Sequence, residues 1–240
     1  MEKLHGKTAL ITGGSKGIGY GIAESMLKEG MNVAITSRHP ETAAAAAQQL
    51  AGVGPGKLIA IVADVRDLEA QKNAVAKTLE AFGQLDVLIA NAGLGHFAPI
   101  STLTVEQWQE TLDTNLTGVF YSLKASLEAL TQTKGYFISI ASLAGTNFFA
   151  NGAAYNASKF GLVGFTQAVM LDLREAGIKC STIMPGSVAT HFNHHEPNAA
   201  DAWKIQPEDI GQMVVDLLKM NPRTLPSKIE VRPSQVPGGK

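Results

Sequence analysis

A single cysteine, Cys180, rules out an intrachain disulfide. It stands in the run Ile178–Met184, which reads as a strand, so a buried and inert thiol is its expected role. Charge is scarce too. Charged residues make up 17% of the chain, the net charge is −1, and there is neither a basic stripe nor an acidic tail. Nucleic acid and a membrane surface are therefore unsupported as partners. No apolar run is long enough to cross a bilayer. Met1 leads almost directly into a strand without a signal-peptide core, so a cytoplasmic location is expected. What the chain does have is 45% hydrophobic residues and 24 glycines over 240 residues. That composition describes a soluble protein with a sizeable core, here one domain spanning 1–240.

The glycines are informative where they cluster. The short strand Thr8–Thr12 runs into Gly13-Gly-Ser15-Lys16-Gly17-Ile18-Gly19, and a helical pattern with Ile22, Ala23, Met26 and Leu27 follows. In a strand–turn–helix context Gly13 permits the sharp turn and Gly17 lets backbone approach a pyrophosphate. Gly19 lets the helix pack close to the sheet, and the helix N-terminus receives negative charge. This pattern predicts dinucleotide binding through Gly13, Ser15, Lys16, Gly17, Ile18 and Gly19.

A second strand, Asn32–Ser37, ends at Ser37-Arg38, roughly 20 residues beyond the glycine turn, where an acid would hold the ribose hydroxyls of NAD. No acid is present. Ser37, Arg38 and Lys16 supply a hydroxyl and two cations, which suit a ribose 2′-phosphate, so NADP(H) is expected over NAD(H).

The rest of the chain alternates in the same way. An Ala-rich helix, Glu41–Ala51, precedes a strand Leu58–Ala63 ending at Asp64-Val65. Asp64 serves either a ligand at the strand end or the cap of the next helix, Leu68–Phe82. A strand Leu85–Ala90 leads to Asn91-Ala92-Gly93, a small polar turn. A long helical region over Val105–Ala129 contains Asp113-Thr-Asn115 between apolar turns. An Asn there implies a hydrogen-bond network or a kink. Strands Gly135–Ala141 and Lys179–Met184 end at Ser142 and at Pro185-Gly186. Strands alternating with helices predict an α/β fold: a Rossmann-type doubly wound parallel β-sheet in a single domain.

Tyr155 and Lys159 are four apart in a helical pattern and share a face. An ammonium near the phenol would lower its pKa toward neutrality and make an acid–base group. A solvated surface pair is the alternative on spacing alone. Ser142, at a strand end before that helix, either joins them or merely turns the chain.

Taken together, Thr12-Gly-x-x-x-Gly17-x-Gly19, Asn91-Ala-Gly93, Asn115, Ser142, Tyr155-x-x-x-Lys159 and Pro185-Gly186 resemble the short-chain dehydrogenase/reductase family. The resemblance covers about residues 5–190 and weakens beyond. It implies that Tyr155 gives its proton to a substrate oxygen as hydride leaves the nicotinamide, that Ser142 hydrogen-bonds the same oxygen, and that Lys159 lowers the Tyr155 pKa and binds the nicotinamide ribose. Asn115 would hold a relay water. Asp64 and Val65 would contact adenine, Asn91 with Ala92 and Gly93 would support the adenosine side, and Pro185, Gly186, Val188 and Thr190 would contact the nicotinamide. It further implies a small carbonyl or alcohol substrate and a homodimer or homotetramer formed through the helices at Val105–Ala129 and Tyr155–Glu175.

Two features depart from the family. Ala90 replaces the commoner Asn, and the chain ends in Leu225–Ser234 without a Val-Asp-Gly-Gly tail. The ending weakens a 3-oxoacyl-(acyl-carrier-protein) reductase and favours a carbonyl reductase. A catalytically silent NADP(H)-binding sensor is the reading from another class, opposed by the complete Ser142/Tyr155/Lys159 set.

The segment 187–206 carries His191, His194, His195, Glu196 and Asp201 without metal-motif spacing, and reads as a mobile polar lid rather than a metal site. Phe97, Phe148, Phe149, Phe192 and Trp203 are candidate pocket walls. Ile229–Val231 reads as a last strand, and 233–240 as a disordered tail.

Overall fold

Along β1 (Thr8–Ile11) successive side chains belong to opposite cores: Ala9 and Ile11 pack with one apolar cluster, Leu10 with the other. The same alternation runs through Val33/Ala34/Ile35, Ile89/Ala90 and Tyr136/Phe137/Ile138, the period-2 signature of strands covered on both faces. In the computed structural model, which describes residues 4–236 apart from the His194 side chain, seven strands form one parallel sheet in the order β3-β2-β1-β4-β5-β6-β7. The remaining strands are β2 (Asn32–Ser37), β3 (Leu58–Val62), β4 (Val87–Ala90), β5 (Tyr136–Ile140), β6 (Lys179–Pro185) and β7 (Lys228–Val231). The predicted last strand is thus present, with Ile229 in register with Ile183.

Helices α1 (Gly17–Lys28), α2 (Pro40–Leu50) and α7 (Pro207–Lys219) cover one face through Ile22, Met26, Leu50, Ile210 and Val214. Helices α3 (Leu68–Phe82), α5 (Gly118–Thr133) and α6 (Ala153–Asp172) cover the other through Val75, Leu123, Leu130 and Leu162. The architecture is the expected doubly wound α/β domain. α3 matches its predicted bounds because both ends are chemically marked. The Asp67 carboxylate accepts from the Glu69 and Ala70 amides, and Gly83 stops the helix in the left-handed region.

The long helix expected over 105–129 is in fact two. α4 (Val105–Leu112), opened by a Thr104/Gln107 capping box, passes through a π-helical turn, Asp113–Thr117, into α5. The wide turn holds Asn115, fully buried, inside the fold.

The strand order reverses between β1 and β4. Their carboxyl ends therefore diverge into separate loops, and a crevice opens between them. Cys180 lies buried in β6, its thiol pushed up to about 12 by desolvation, as an inert core residue. The segment 187–206 is a strap tied at both ends: the Ile205 amide donates to Ser187 O at 3.1 Å, and the Ala189 amide to Ile205 O at 2.9 Å. Of the expected tail 233–240, Pro233–Val236 carries no helix or strand, and 237–240 lie outside the described residues. Among the described residues no helix is long and apolar enough to cross a membrane.

Candidate active site

A cleft of about 660 Å³ follows the carboxyl ends of β1, β2, β4 and β5. Gly13, Ser15, Lys16, Gly17 and Ile18 line it with Ser37, Arg38, Val65 and the Asn91–Gly93 turn, and Tyr155, Lys159 and Thr190 line its other end. A second space of about 350 Å³ adjoins it and shares Ile18, Ala141, Tyr155, Thr190 and Phe192. Ser142, Pro185, Gly186 and Val188 line that space. The chain order had suggested several ends of one sheet. The fold makes them one continuous crevice.

The glycine loop is locked to the β4 turn. The Asn91 carboxamide donates to the carbonyls of Thr12 and Gly13, both at 3.0 Å, while the Thr12 hydroxyl accepts from the Asn91 and Ala92 amides at 3.0 and 3.2 Å. Gly13 adopts φ +64°, and a Cβ there would meet Ala92 Cα at 2.9 Å, so the two loops touch through bare backbone. Gly19 is excluded from bearing a side chain by the Asn91 carboxamide and the Gly13 carbonyl, so its close approach is to the two loops rather than to the strands. No side chain caps the start of α1, so its first amides are left open toward the cleft. At the far end Ser37 Oγ lies 2.6 Å from Thr42 Oγ1 and accepts from Ser15 Oγ at 3.3 Å, beside Lys16 and Arg38.

Asp64 does not cap α3, where Asp67 stands instead. Its neighbours Ala63 and Val65 line the cleft, but its carboxylate is held by Arg66, with Nη2 at 2.7 Å and the Arg66 amide at 2.9 Å. Burial pushes its pKa up, but the Arg66 hydrogen bonds hold the carboxyl below its usual range. Arg66 also pairs with Glu110 at 3.4 Å, and Glu110 reaches Arg38 at 3.8 Å and His96 at 2.9 Å.

Tyr155 and Lys159 sit one turn apart on α6, with Lys159 Nζ 5.7 Å from the Tyr155 ring centroid. Lys159 is buried and donates to Ile140 O at 3.1 Å. The expectation that the ammonium lowers the phenol is overturned here. Desolvation pushes Tyr155 up to about 12, with the neighbouring Ser142 hydroxyl pulling the other way. The same burial pushes Lys159 down to about 8. Ser142 is positioned by its own turn, its Oγ accepting from the Ala144 amide at 3.1 Å.

Asn115 uses its whole amide. Nδ2 donates to Leu94 O at 2.8 Å and to Ser158 Oγ at 3.0 Å, and Oδ1 accepts from the Leu94 amide at 2.9 Å. The network and the kink foreseen for this residue are both present. A Cβ on Gly93 would lie 3.2 Å from Asn115 Oδ1 and 3.6 Å from Lys159 Nζ, so the space beside Gly93 joins those two polar groups.

The profile described as short chain dehydrogenase matches residues 7–201. The chain belongs to the short chain dehydrogenase family. An uncharacterized oxidoreductase of Staphylococcus saprophyticus is 32% identical over 234 residues, 97% of this chain and 100% of that protein. A 3-oxoacyl-[acyl-carrier-protein] reductase of Synechocystis is 36% identical over 196 residues, 81% of this chain and 79% of that protein. Among solved structures, a short chain dehydrogenase from Burkholderia cenocepacia in complex with NADP superposes with a TM-score of 0.87 at 32% identity, covering 96% of this chain and 98% of that one.

Three residues of the site were not foreseen. Thr114 lines the cleft with a buried hydroxyl that has no partner. Glu110 gathers Arg38, Arg66 and His96. Asn156 donates to Ala144 O and Asn147 O, both at 2.8 Å, tying α6 to the Ser142 turn. Asn156 carried a readable signal, an amide inside an apolar helix like Asn115.

Of the aromatic candidates, Phe97 packs on Tyr155, Phe192 and Phe149 with ring centroids 5.3, 6.2 and 5.9 Å apart. Phe148 is no wall, being 87% exposed, and Trp203 lies under the Lys204 ammonium at 5.9 Å. In the strap His195 pairs with Asp201 and His191 with Glu196. Among the described residues no three such side chains gather at metal-binding range.

Proposed function

We propose that this oxidoreductase uses NADP(H) to interconvert a carbonyl and an alcohol, with Tyr155, Ser142, Lys159 and Asn115 as its machinery. The observation that carries the reading is the convergence of a half-buried phenol and hydroxyl with a buried ammonium beside a cleft of dinucleotide size. The crevice suits the cofactor in two respects. The uncapped α1 N-terminus suits a pyrophosphate, and Ser37, Arg38 and Lys16 suit a ribose 2′-phosphate. Thr114 adds a wall residue whose buried hydroxyl has no partner among the described residues. Gly13, Ser15, Gly17, Ile18, Val65 and Asn91–Gly93 would form the walls, with Pro185, Gly186, Val188 and Thr190 at the nicotinamide end.

A bound nicotinamide supplies hydride to the carbonyl carbon. Everything else falls to the chain. A phenol held near 12 keeps its proton at neutral pH, so Tyr155 is a donor to the carbonyl oxygen in the reductive direction. Ser142 offers a second donor to the same oxygen, placed before charge develops there. The Tyr155 oxygen left negative is stabilised by the Ser142 hydroxyl and the nearby Lys159 ammonium. A proton returns through Lys159 and the space beside Gly93 and Asn115. The apolar outer faces of α5 and α6, with Phe120, Phe160 and Leu171 exposed, support association of copies through these helices.

The test is NADPH consumption across ketones, aldehydes, diketones and 3-oxoacyl thioesters, with NADH as comparison. Turnover of a carbonyl with NADPH and little with NADH is expected. Absence of turnover on every class refutes the reading. The Synechocystis relative favours a second reading, 3-oxoacyl thioester reduction, and preference for the thioesters within that panel would select it.

A further inference from the structure

The 350 Å³ space beside Ser142 and Tyr155 has mixed walls: Ile18, Pro185, Val188 and Phe192 are apolar, and Ser187 and Thr190 add hydroxyls. Two basic residues of the strap, His195 and Lys204, also line it. Among the described residues, no Asp or Glu lines the space with them. The compensating carboxylate stands behind. Asp201 is buried, accepts from Lys204 Nζ at 2.6 Å on one oxygen and pairs with His195 Nε2 at 2.6 Å on the other, and takes the Asn198 amide at 3.0 Å. Neither basic side chain is therefore free to swing. A lysine ammonium has three donors, and Asp201 takes one of them. The Trp203 ring lies against the same ammonium.

We propose that Lys204 and His195, braced by Asp201, form a carboxylate subsite, so that the substrate is an oxo acid or hydroxy acid whose anionic group lies across this space from its reacting oxygen. A cation fixed in a partly enclosed space gains most from a ligand that brings its own negative charge, because less water competes there than at an open surface. The same oxyanion chemistry could be met by a cofactor phosphate. The nicotinamide end would share this space through Pro185, Gly186, Val188 and Thr190, but the cofactor's phosphates would belong to the larger cleft with the glycine loop and the α1 N-terminus, which neither Lys204 nor His195 lines, and this favours the substrate.

This inference rests on the carbonyl-reduction reading, and its test separates the two. Wild-type enzyme with NADPH is assayed on 3-, 4- and 5-oxo carboxylates and on their methyl esters. At least one acid is expected to exceed its ester in kcat/KM by tenfold or more. Lys204→Met should collapse that ratio toward one, and Lys204→Arg should preserve it. Esters reduced as well as or better than every acid overturn the subsite while leaving carbonyl reduction standing. Loss of NADPH affinity in Lys204→Met, with the acid-to-ester ratio unchanged, assigns the cation to the cofactor and also overturns it. A calorimetric titration of the NADP-bound wild type reads the subsite without turnover. Pentanoate should bind at least tenfold more tightly than pentanamide, and equal binding overturns the proposal even if no carbonyl is reduced.

Discussion

Lys159 Nζ donates to the Ile140 carbonyl at 3.1 Å and sits 5.7 Å from the Tyr155 ring centroid, so the buried ammonium is anchored to the sheet rather than to the phenol. Its pKa of about 8 lies below its ordinary 10.5 because burial disfavours the charge. Between those values the unfolded chain holds a proton that the folded chain has released, so this group makes stability rise with pH across that window. Below pH 8 the folded state carries a burial cost on the order of 3 kcal/mol, partly offset by the Ile140 hydrogen bond. Lys159→Met is therefore expected to raise the Tm of the cofactor-free protein at pH 7 by several degrees while abolishing turnover, with the gain shrinking by pH 9.5. Thermal unfolding of both proteins at the two pH values checks this. A variant less stable at both would show that the lysine is not under strain.

Asn115 is the hinge between the π-turn and the Leu94 backbone. Asn115→Leu removes the partners of the half-buried Leu94 amide and carbonyl, while the Ser158 hydroxyl keeps its bond to Tyr155 O. It is expected to lower stability by about 2–3 kcal/mol, the cost of unsatisfied, partly buried groups, and to reduce turnover as well. Urea unfolding measures the first and steady-state kinetics the second. Unchanged stability would mean that the loop after β4 is held by something else.

Arg38 is half-exposed and makes only a long pair, 3.8 Å, to Glu110. Little is lost structurally by replacing it. Arg38→Asp should weaken NADPH binding by about 10- to 100-fold, the worth of a charge-assisted contact, and leave NADH binding unchanged or improved. Fluorescence titration with both cofactors decides. Equal losses for the two would place Arg38 away from the 2′-phosphate.

Much of this molecule could be read from its sequence because local chemistry and fold agree. The strand–glycine–helix unit at 8–28, α3 between Asp67 and Gly83, and β7 at 228–231 all carry their own signals. The misreadings have a common cause, the neighbours that only folding supplies. Spacing placed Lys159 beside Tyr155 but could not weigh an ammonium against desolvation of both groups, and desolvation wins. Asp64 read as a cap or a ligand contact because Arg66, two residues on, gave no sign that it would fold back onto it. The helix at 105–129 read as continuous because a π-turn preserves the apolar pattern while shifting its phase. At the strap 187–206, polar composition did not reveal the Asp201 brace or the backbone ties at Ser187 and Ile205.

The account stands most directly on the Tyr155 hydroxyl. Replacing it with Phe removes one oxygen from a packed aromatic cluster with Phe97 and Phe192, so fold and NADPH affinity are expected to survive. The decisive measurement is NADPH oxidation by wild type and Tyr155→Phe on the best carbonyl substrate, with NADPH binding measured in parallel. The account predicts intact binding and a kcat lower by about 10²- to 10⁴-fold, the usual worth of a positioned proton donor. A Tyr155→Phe enzyme that turns over as fast as wild type would contradict it.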